Sequence, residues 1–218
     1  MVDANPSRTY GGRSADARQA ERRKRLLDAG LELLGSEGAT GTTVRRVCGQ
    51  AGLTPRYFYE SFPDLDALLV EVLDTIVAEA TAEILAAIAA APHDAHAKSR
   101  AAIATCIEFL TDDPRRTRVL FVEALGNERL MRRRLDAMHA MSTLVALQAR
   151  EFYGVPTDTD PIADIAAELL VGGIAELLIS WLDGGLHVTR AQLIEDVSDL
   201  FVATGEAATA IAARRAAS

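Results

Sequence analysis

Apolar residues recur at helical spacing along almost the whole chain, and turn signals interrupt them at short intervals. Leu26, Ala29, Leu33 and Leu34 form one such stripe, and Gly38 follows it as a stop. Thr54-Pro55, Asp113-Pro114 and Asp160-Pro161 each set a capping side chain before a proline at the first helical position. Thr189-Arg190-Ala191-Gln192 has the spacing of a capping box, and Gly126-Asn127 marks one helix closing and the next opening. The pattern predicts helices over roughly 16–36, 43–50, 55–61, 64–91, 94–111, 114–125, 127–153, 160–183 and 190–214, and no strand. The linkers are short, which suits a bundle of neighbouring antiparallel helices. The expected fold is all-α with about nine helices.

The segment from Thr42 to Leu69 is the most informative. Its two short helices flank Ala51-Gly52-Leu53, where Gly52 supplies the left-handed conformation that a tight turn after a helix needs. Val44, Val47 and Cys48 have the spacing to pack against Leu53, Phe58 and Phe62. Pro55, Arg56 and Tyr57 are then left near an exposed helix start. This is the layout of a helix-turn-helix, whose second helix enters the major groove with its N-terminal residues. Arg56 has the fork to bond guanine O6 and N7, and Tyr57 suits a base or a phosphate. Tyr59 offers a phenolic hydrogen bond to phosphate. Thr43 and Thr54 offer hydroxyls and free backbone N–H groups at helix starts, and Arg45 and Arg46 add charge.

Charge distribution agrees. Residues 8–59 hold ten Lys/Arg against five acids, a local +5, so with a net charge of −8 the remainder carries −13. A basic quarter on an acidic body points to a polyanion-binding module joined to something else. Arg8, Arg13 and Arg18 extend the basic footprint, while Arg22-Arg23-Lys24-Arg25 reads as a solvated face with one or two side chains reaching phosphate.

The ordered residues Thr43, Val44, Val47, Cys48, Ala51, Gly52, Leu53, Thr54, Phe58, Tyr59, Phe62, Pro63, Leu68 and Leu69 resemble the TetR family of bacterial transcriptional regulators over about residues 18–70. Three positions depart from the family pattern. Leu65 replaces a usual lysine, Arg56 replaces a small residue, and Cys48 stands where alanine is usual. Residues 1–15 are polar and Gly/Ser/Pro-bearing and read as a flexible arm, and the resemblance implies a DNA-binding domain at 16–63 and a ligand-binding and dimerisation domain at 64–218. It implies a homodimer on a palindromic operator, acting as a repressor and released by a small effector, which the methionines and Trp181 of the body suggest is apolar or amphipathic.

Within the implied body, the expected pocket residues are Phe109, Phe121, Leu125, Met138, Met141, Leu178 and Trp181; Met131, Leu144, Phe152 and Ile174 lie on the same helices. The last two long helices carry an apolar seam. Ile165, Leu169, Gly173 and Leu177 run down one, and Val197, Leu200, Phe201 and Thr204 down the other. The seam fits burial within one subunit or a four-helix dimer interface, and the resemblance implies the latter.

Other features carry less. The two cysteines, Cys48 and Cys106, make no CxxC, and a reducing cytoplasm is the expected compartment. Cys48 reads as a small buried hydrophobe ahead of a redox sensor. His93 and His96 have no ligating cluster nearby, so they read as exposed and no metal is expected. His139 reads as a satisfied interior histidine ahead of a ligand-bonding group. The N-terminus shows no apolar signal-peptide core, and the stretch Ile162 to Leu182 contains Asp164, Glu168 and Glu176, so no membrane partner is expected.

Three functions compete: a ligand-responsive DNA-binding regulator, a protein-interaction bundle with a degenerate head, and a helical enzyme. Asp64 and Asp66, together with Leu65, favour the second. No nucleophile elbow, P-loop, dinucleotide fingerprint or metal cluster favours the third, so no catalytic residue and no cofactor are expected.

Overall fold

In the computed structural model, which describes residues 15–154 and 160–217, the first helix buries apolar residues on two sides. α1 (Ala15–Gly41) turns Leu26, Ala29 and Leu33 toward α2 (Val44–Ala51) and α3 (Pro55–Ser61). With Val47, Cys48, Ala51, Phe58, Phe62 and Leu68 they make a small, closed core. Leu34 joins a second, larger core instead. α4 (Leu65–Ala90) is shared in the same way, with Leu68 in the small core and Leu69, Val72, Leu73 and Ile76 in the large one. Two helices thus run through both cores.

The large core is closed by α5 (Ala95–Asp112), α8 (Glu128–Tyr153), α9 (Ile162–Leu182) and α10 (Arg190–Ala216). Between α5 and α8 the sequence predicts one helix over 114–125. The structure has α6 (Pro114–Arg118), a π turn (Val119–Glu123) and one further turn, α7 (Ala124–Gly126), running without a break. Counted as one interrupted helix, these give nine helices and no strand among the described residues, the all-α architecture expected.

Polar side chains start most helices as the sequence implies. Asp64 accepts from Ala67 N at 2.7 Å, Asp113 from Arg115 N at 3.1 Å, Asn127 from Arg129 N at 2.9 Å, and Thr189 from Gln192 N at 3.1 Å. Two starts differ. Thr54 holds the capping position without a side-chain bond, because Pro55 opens the helix. Pro161, expected as the first helical residue, is itself the cap, and Asp160 accepts from Ile162 N at 2.9 Å. The buried hydroxyls of Thr42 and Ser198 return to carbonyls one turn back, so neither is left unpaired.

The expected arm, with Arg8 and Arg13, lies outside the described residues, apart from Ala15, which opens α1. No helix among the described residues is long and apolar enough to cross a membrane.

Candidate nucleic-acid interface and ligand cavity

The turn between α2 and α3 is built around Gly52. Its φ of 62° and ψ of 38° are left-handed, and Leu53 N closes the helix end on Cys48 O at 2.9 Å. From α1, the Arg25 guanidinium donates to the carbonyls of Ala51 and Gly52. A Cβ on residue 52 would lie 2.9 Å from the flexible end of Arg25, which can give way, so it is the left-handed backbone that favours glycine here.

The basic run of α1 is only partly a solvated face: Lys24 and Arg25 are exposed, but Arg22 and Arg23 are half-buried. Arg22 lies over the Tyr57 ring at 4.6 Å, and Arg23 over the Phe62 ring at 4.3 Å. Arg23 also bonds Glu71 at 2.9 Å and Ser61 O at 2.6 Å, and Lys24 pairs with Asp28 at 2.8 Å. Arg22 and Arg23 thus staple α1 to α3 and α4, while Lys24 pairs within α1. Sequence alone missed this, since charge does not announce whether its partner is a phosphate or a distant carbonyl.

What remains for a polyanion lies on α3 and the start of α2. Phe58 and Phe62 are buried, which turns Pro55, Arg56, Tyr57 and Tyr59 outward. Arg56 is 85% exposed and paired only to Glu60 on its own helix, at 2.9 Å. An exposed i,i+4 pair is worth about 0.3–0.5 kcal/mol, so guanine can displace it at little cost. Tyr59 is 60% exposed, its ring edge-on to Phe58. Thr43 caps α2 by accepting from Arg46 N at 3.3 Å, and Thr43, Arg45 and Thr54 are exposed. Arg46 differs from expectation. It is held bidentately by Glu37 and donates to Gly41 O at 2.9 Å, and this pairing lowers the Glu37 pKa and raises that of Arg46. Arg46 thus fixes α2 to the end of α1 and does not stand free as added charge.

The acids at the start of α4 face the body. Arg129 of α8 lies 3.3 Å from Asp64 and 3.7 Å from Asp66, and Leu65 packs between the two cores. The two acids that favoured a degenerate head are thus paired within the chain, while Leu65 still offers no charge there.

A cavity of about 480 Å³ runs between α4, α5, α8, α9 and α10. Phe121, Met138, Met141 and Leu178 line it as expected, together with Leu144, Phe152 and Ile174. Phe109, Leu125 and Trp181 do not. Phe109 is buried in the core under Arg116, 3.8 Å from its ring, and Leu125 is largely exposed. Trp181 spends its indole N–H on Val188 O at 2.8 Å, tying down the loop before α10. Cys106 also lines the cavity, and burial pushes its thiol up to about 11; burial raises the Cys48 thiol as well. Missed by sequence were Arg134 and Gln148, polar members of the α8 face that carries Met138 and Met141. Arg134 was hidden in the run Arg132-Arg133-Arg134. His139 is exposed, hence neither an interior histidine nor a ligand contact. His96 lies 3.4 Å from Asp199, and His93 stands beside the Phe152 ring.

The cavity touches the junction with the head. Leu120 and Phe121 of the π turn line it, while Glu123 of the same turn accepts from Ala39 N at 2.8 Å. Arg118 bonds Glu123 at 3.0 Å and donates to Ser36 O at 2.8 Å. Gly38, at φ 79°, passes so close that a Cβ would sit 2.8 Å from the Glu123 carboxylate. Next to it, Arg115 bridges Asp113 and Glu32 at 2.7 and 2.6 Å.

On the outer face of α9 and α10, Ile165, Leu169 and Leu200 are exposed, the last two at 68% and 64%, and nothing approaches Gly173. Leu177 and Thr204 are half-buried. Val197 instead belongs to the large core, and Phe201 lines the cavity, so the seam is narrower than its sequence pattern suggests.

Residues 26–72 match the family model described as bacterial regulatory proteins, tetR family. A comparison with curated proteins gave no match. Among solved structures, the fold is similar to the fatty acid degradation regulator FadR from Bacillus halodurans, at 16% identity and a TM-score of 0.68, covering 83% of this chain and 94% of that one. It is similar to FadR from Bacillus subtilis in complex with stearoyl-CoA, at 17% identity and a TM-score of 0.69, covering 83% and 98%. It is also similar to a transcriptional regulator from Rhodococcus sp. Rha1, at 20% identity and a TM-score of 0.61, covering 83% and 94%. Residues 26–72 thus have the sequence of the bacterial regulatory proteins of the tetR family, and the whole chain shares the fold of these solved transcriptional regulators.

Proposed function

We propose that this protein is a homodimeric, ligand-responsive repressor that binds a palindromic operator through α3 and is released by an apolar or amphipathic effector in the body cavity. The observation that carries this reading is the division of labour on α3, where Phe58 anchors the helix while Arg56, Tyr57 and Tyr59 stand in solvent. Supporting roles fall to Thr43, Arg45 and Thr54 as phosphate contacts around the helix starts, while Pro55, which has no donor, opens α3 and offers an apolar contact to the DNA backbone. The unit from 16 to 63 acts as the reading head, and that from 64 to 218 as the ligand-binding and dimerising body.

The exposed leucines at 169 and 200 support a dimer face on α9 and α10, completed by Ile165, Gly173, Leu177 and Thr204. Two-fold symmetry then sets two recognition helices about 34–36 Å apart, one DNA turn. The B. subtilis FadR structure holds stearoyl-CoA, and an aliphatic chain suits the Met- and Leu-rich wall found here.

The test is selection of bound duplexes from a random pool, followed by sedimentation of the complex. The expected outcome is an inverted-repeat sequence carrying two protomers. Enrichment of no sequence would refute the reading, and a monomer on a half-site would refute its dimeric part.

A further inference from the structure

The arginines along the start of α8 each find a carboxylate, with one exception. Arg129 faces Asp64 and Asp66, Arg132 faces Glu128, and Arg133 faces Asp74. Arg134 has neither a hydrogen bond nor an ion pair to any described residue. Its guanidinium stands 5.6 Å from the Phe121 ring and forms part of the cavity wall. Glu176 of α9 acts on it only through space, and burial pulls its pKa below the ordinary guanidinium value. It stays charged nonetheless, because arginine does not lose its proton in proteins.

Of the other cations of the wall, the arginine is matched by a carboxylate and the lysine only by a backbone carbonyl. Arg150 pairs with Asp164 at 2.6 Å, and Lys98 reaches Ile88 O at 3.4 Å. Asp160, also on the wall, is taken by Arg215 at 2.7 Å. A half-buried guanidinium without an anion is an unfavourable arrangement that a bidentate carboxylate corrects. From Arg134, the same face of α8 continues through Met138, Met141 and Val145 to Gln148, all lining the cavity. One charged end thus leads into an apolar run of about 14 residues at 1.5 Å rise, roughly 21 Å.

We propose that the cavity binds an amphipathic carboxylate, an organic acid with an aliphatic body, whose carboxylate sits on Arg134 while its body lies along Met138, Met141 and Val145. This rests on reading the cavity as the effector site, and it makes Arg134 the residue that selects acid over neutral ligand. The head group would lie beside Phe121, in the π turn that also carries Glu123.

The test uses the full chain and three probes in isothermal titration: dodecanoate, 1-dodecanol and dodecanoyl-CoA. Dodecanoate is expected to bind roughly tenfold or more tightly than dodecanol, the scale of one charge-assisted hydrogen-bonded pair. Arg134→Gln is expected to bring the ratio near one while leaving dodecanol affinity unchanged, which also shows that the variant is folded. Arg134→Lys is expected to keep part of the preference. Equal binding of acid and alcohol, an undiminished ratio in Arg134→Gln, binding of the CoA thioester alone, or binding of none of the three would overturn the proposal. Binding of the same preparation to random-pool DNA is read separately. Its absence counts against the regulatory reading and does not touch the acid-over-alcohol ratio.

Discussion

The carboxylate of Glu123 accepts the backbone N–H of Ala39 at 2.8 Å, joining the wall of the cavity to the last turn before the helix-turn-helix. Arg118 clamps the same carboxylate and the Ser36 carbonyl, so the end of α1 is held from two sides. A π turn carries one residue more per turn than its neighbours and is easily relaxed, which makes it a suitable place to convert a ligand contact into a backbone shift. Thr43, four residues after Ala39, caps α2. Movement of Leu120 and Phe121 by a ligand therefore has a short route to the reading head.

Glu123→Ala removes the shared acceptor without touching the cavity wall. Allosteric coupling is typically about 1–3 kcal/mol, or about 5–150-fold in affinity. The variant is expected to bind dodecanoate normally but to show a ratio of operator affinities, without and with saturating dodecanoate, close to one. A ratio equal to that of the unaltered protein in fluorescence anisotropy would rule out this route.

Arg56→Ala is expected to weaken the selected operator by about 1–3 kcal/mol per half-site and to relax the preference at the same base pair of each half-site, as loss of a bidentate guanine contact does. Tyr59→Phe removes one phenolic donor and is expected to weaken all sequences by similar factors. A competition assay over single-base variants separates these outcomes; a uniform loss for Arg56→Ala would assign it to phosphate.

Arg25→Met keeps the apolar stem but releases the Ala51 and Gly52 carbonyls. A hydrogen bond to a charged group is worth about 1.5–3 kcal/mol. Urea unfolding is expected to show a loss in that range, with operator affinity falling as the turn loosens. An unchanged midpoint would return Arg25 to the role of a solvated cation.

Asp113 supplies a pH test. Hydrogen bonding to Arg115 holds its carboxyl below the usual value of 3.8. A depressed folded value means that the contribution is complete above the unfolded value and disappears as pH falls through the folded one. Asp113→Asn preserves a capping side chain for α6 while deleting the charge. The variant is expected to melt lower than the parent at about pH 7, with the difference closing below about pH 4. A difference independent of pH would show that the charge of Asp113 does not stabilise the fold.

The head was legible because its signals are local. Val47 and Cys48 lie within a few residues of Gly52 and Leu53, and one turn geometry accounts for them all. The body was less legible for reasons visible in single residues. Phe121 and Leu125, four apart, share a face on an α-helix, but the π turn between them sends one to the cavity and the other to solvent. Val197 and Leu200 lie on one helix that has apolar faces inside and outside, and periodicity does not say which is which. The partners of Arg23 and Arg25 lie 48 and 26 residues away, beyond the reach of any local pattern.

The central claim is that α3 meets DNA while phosphates are held by Arg45 and the polar groups at the starts of α2 and α3. Its most direct test is the salt dependence of binding to the selected operator, measured by anisotropy between about 50 and 200 mM salt. The account predicts a linear fall of log affinity with log salt concentration, losing about 10³-fold or more if six or more phosphates are engaged. It further predicts a slope shallower by about two in Arg45→Ala, one phosphate contact being lost from each protomer. Absence of binding at the low-salt end, or an affinity indifferent to salt, would contradict it.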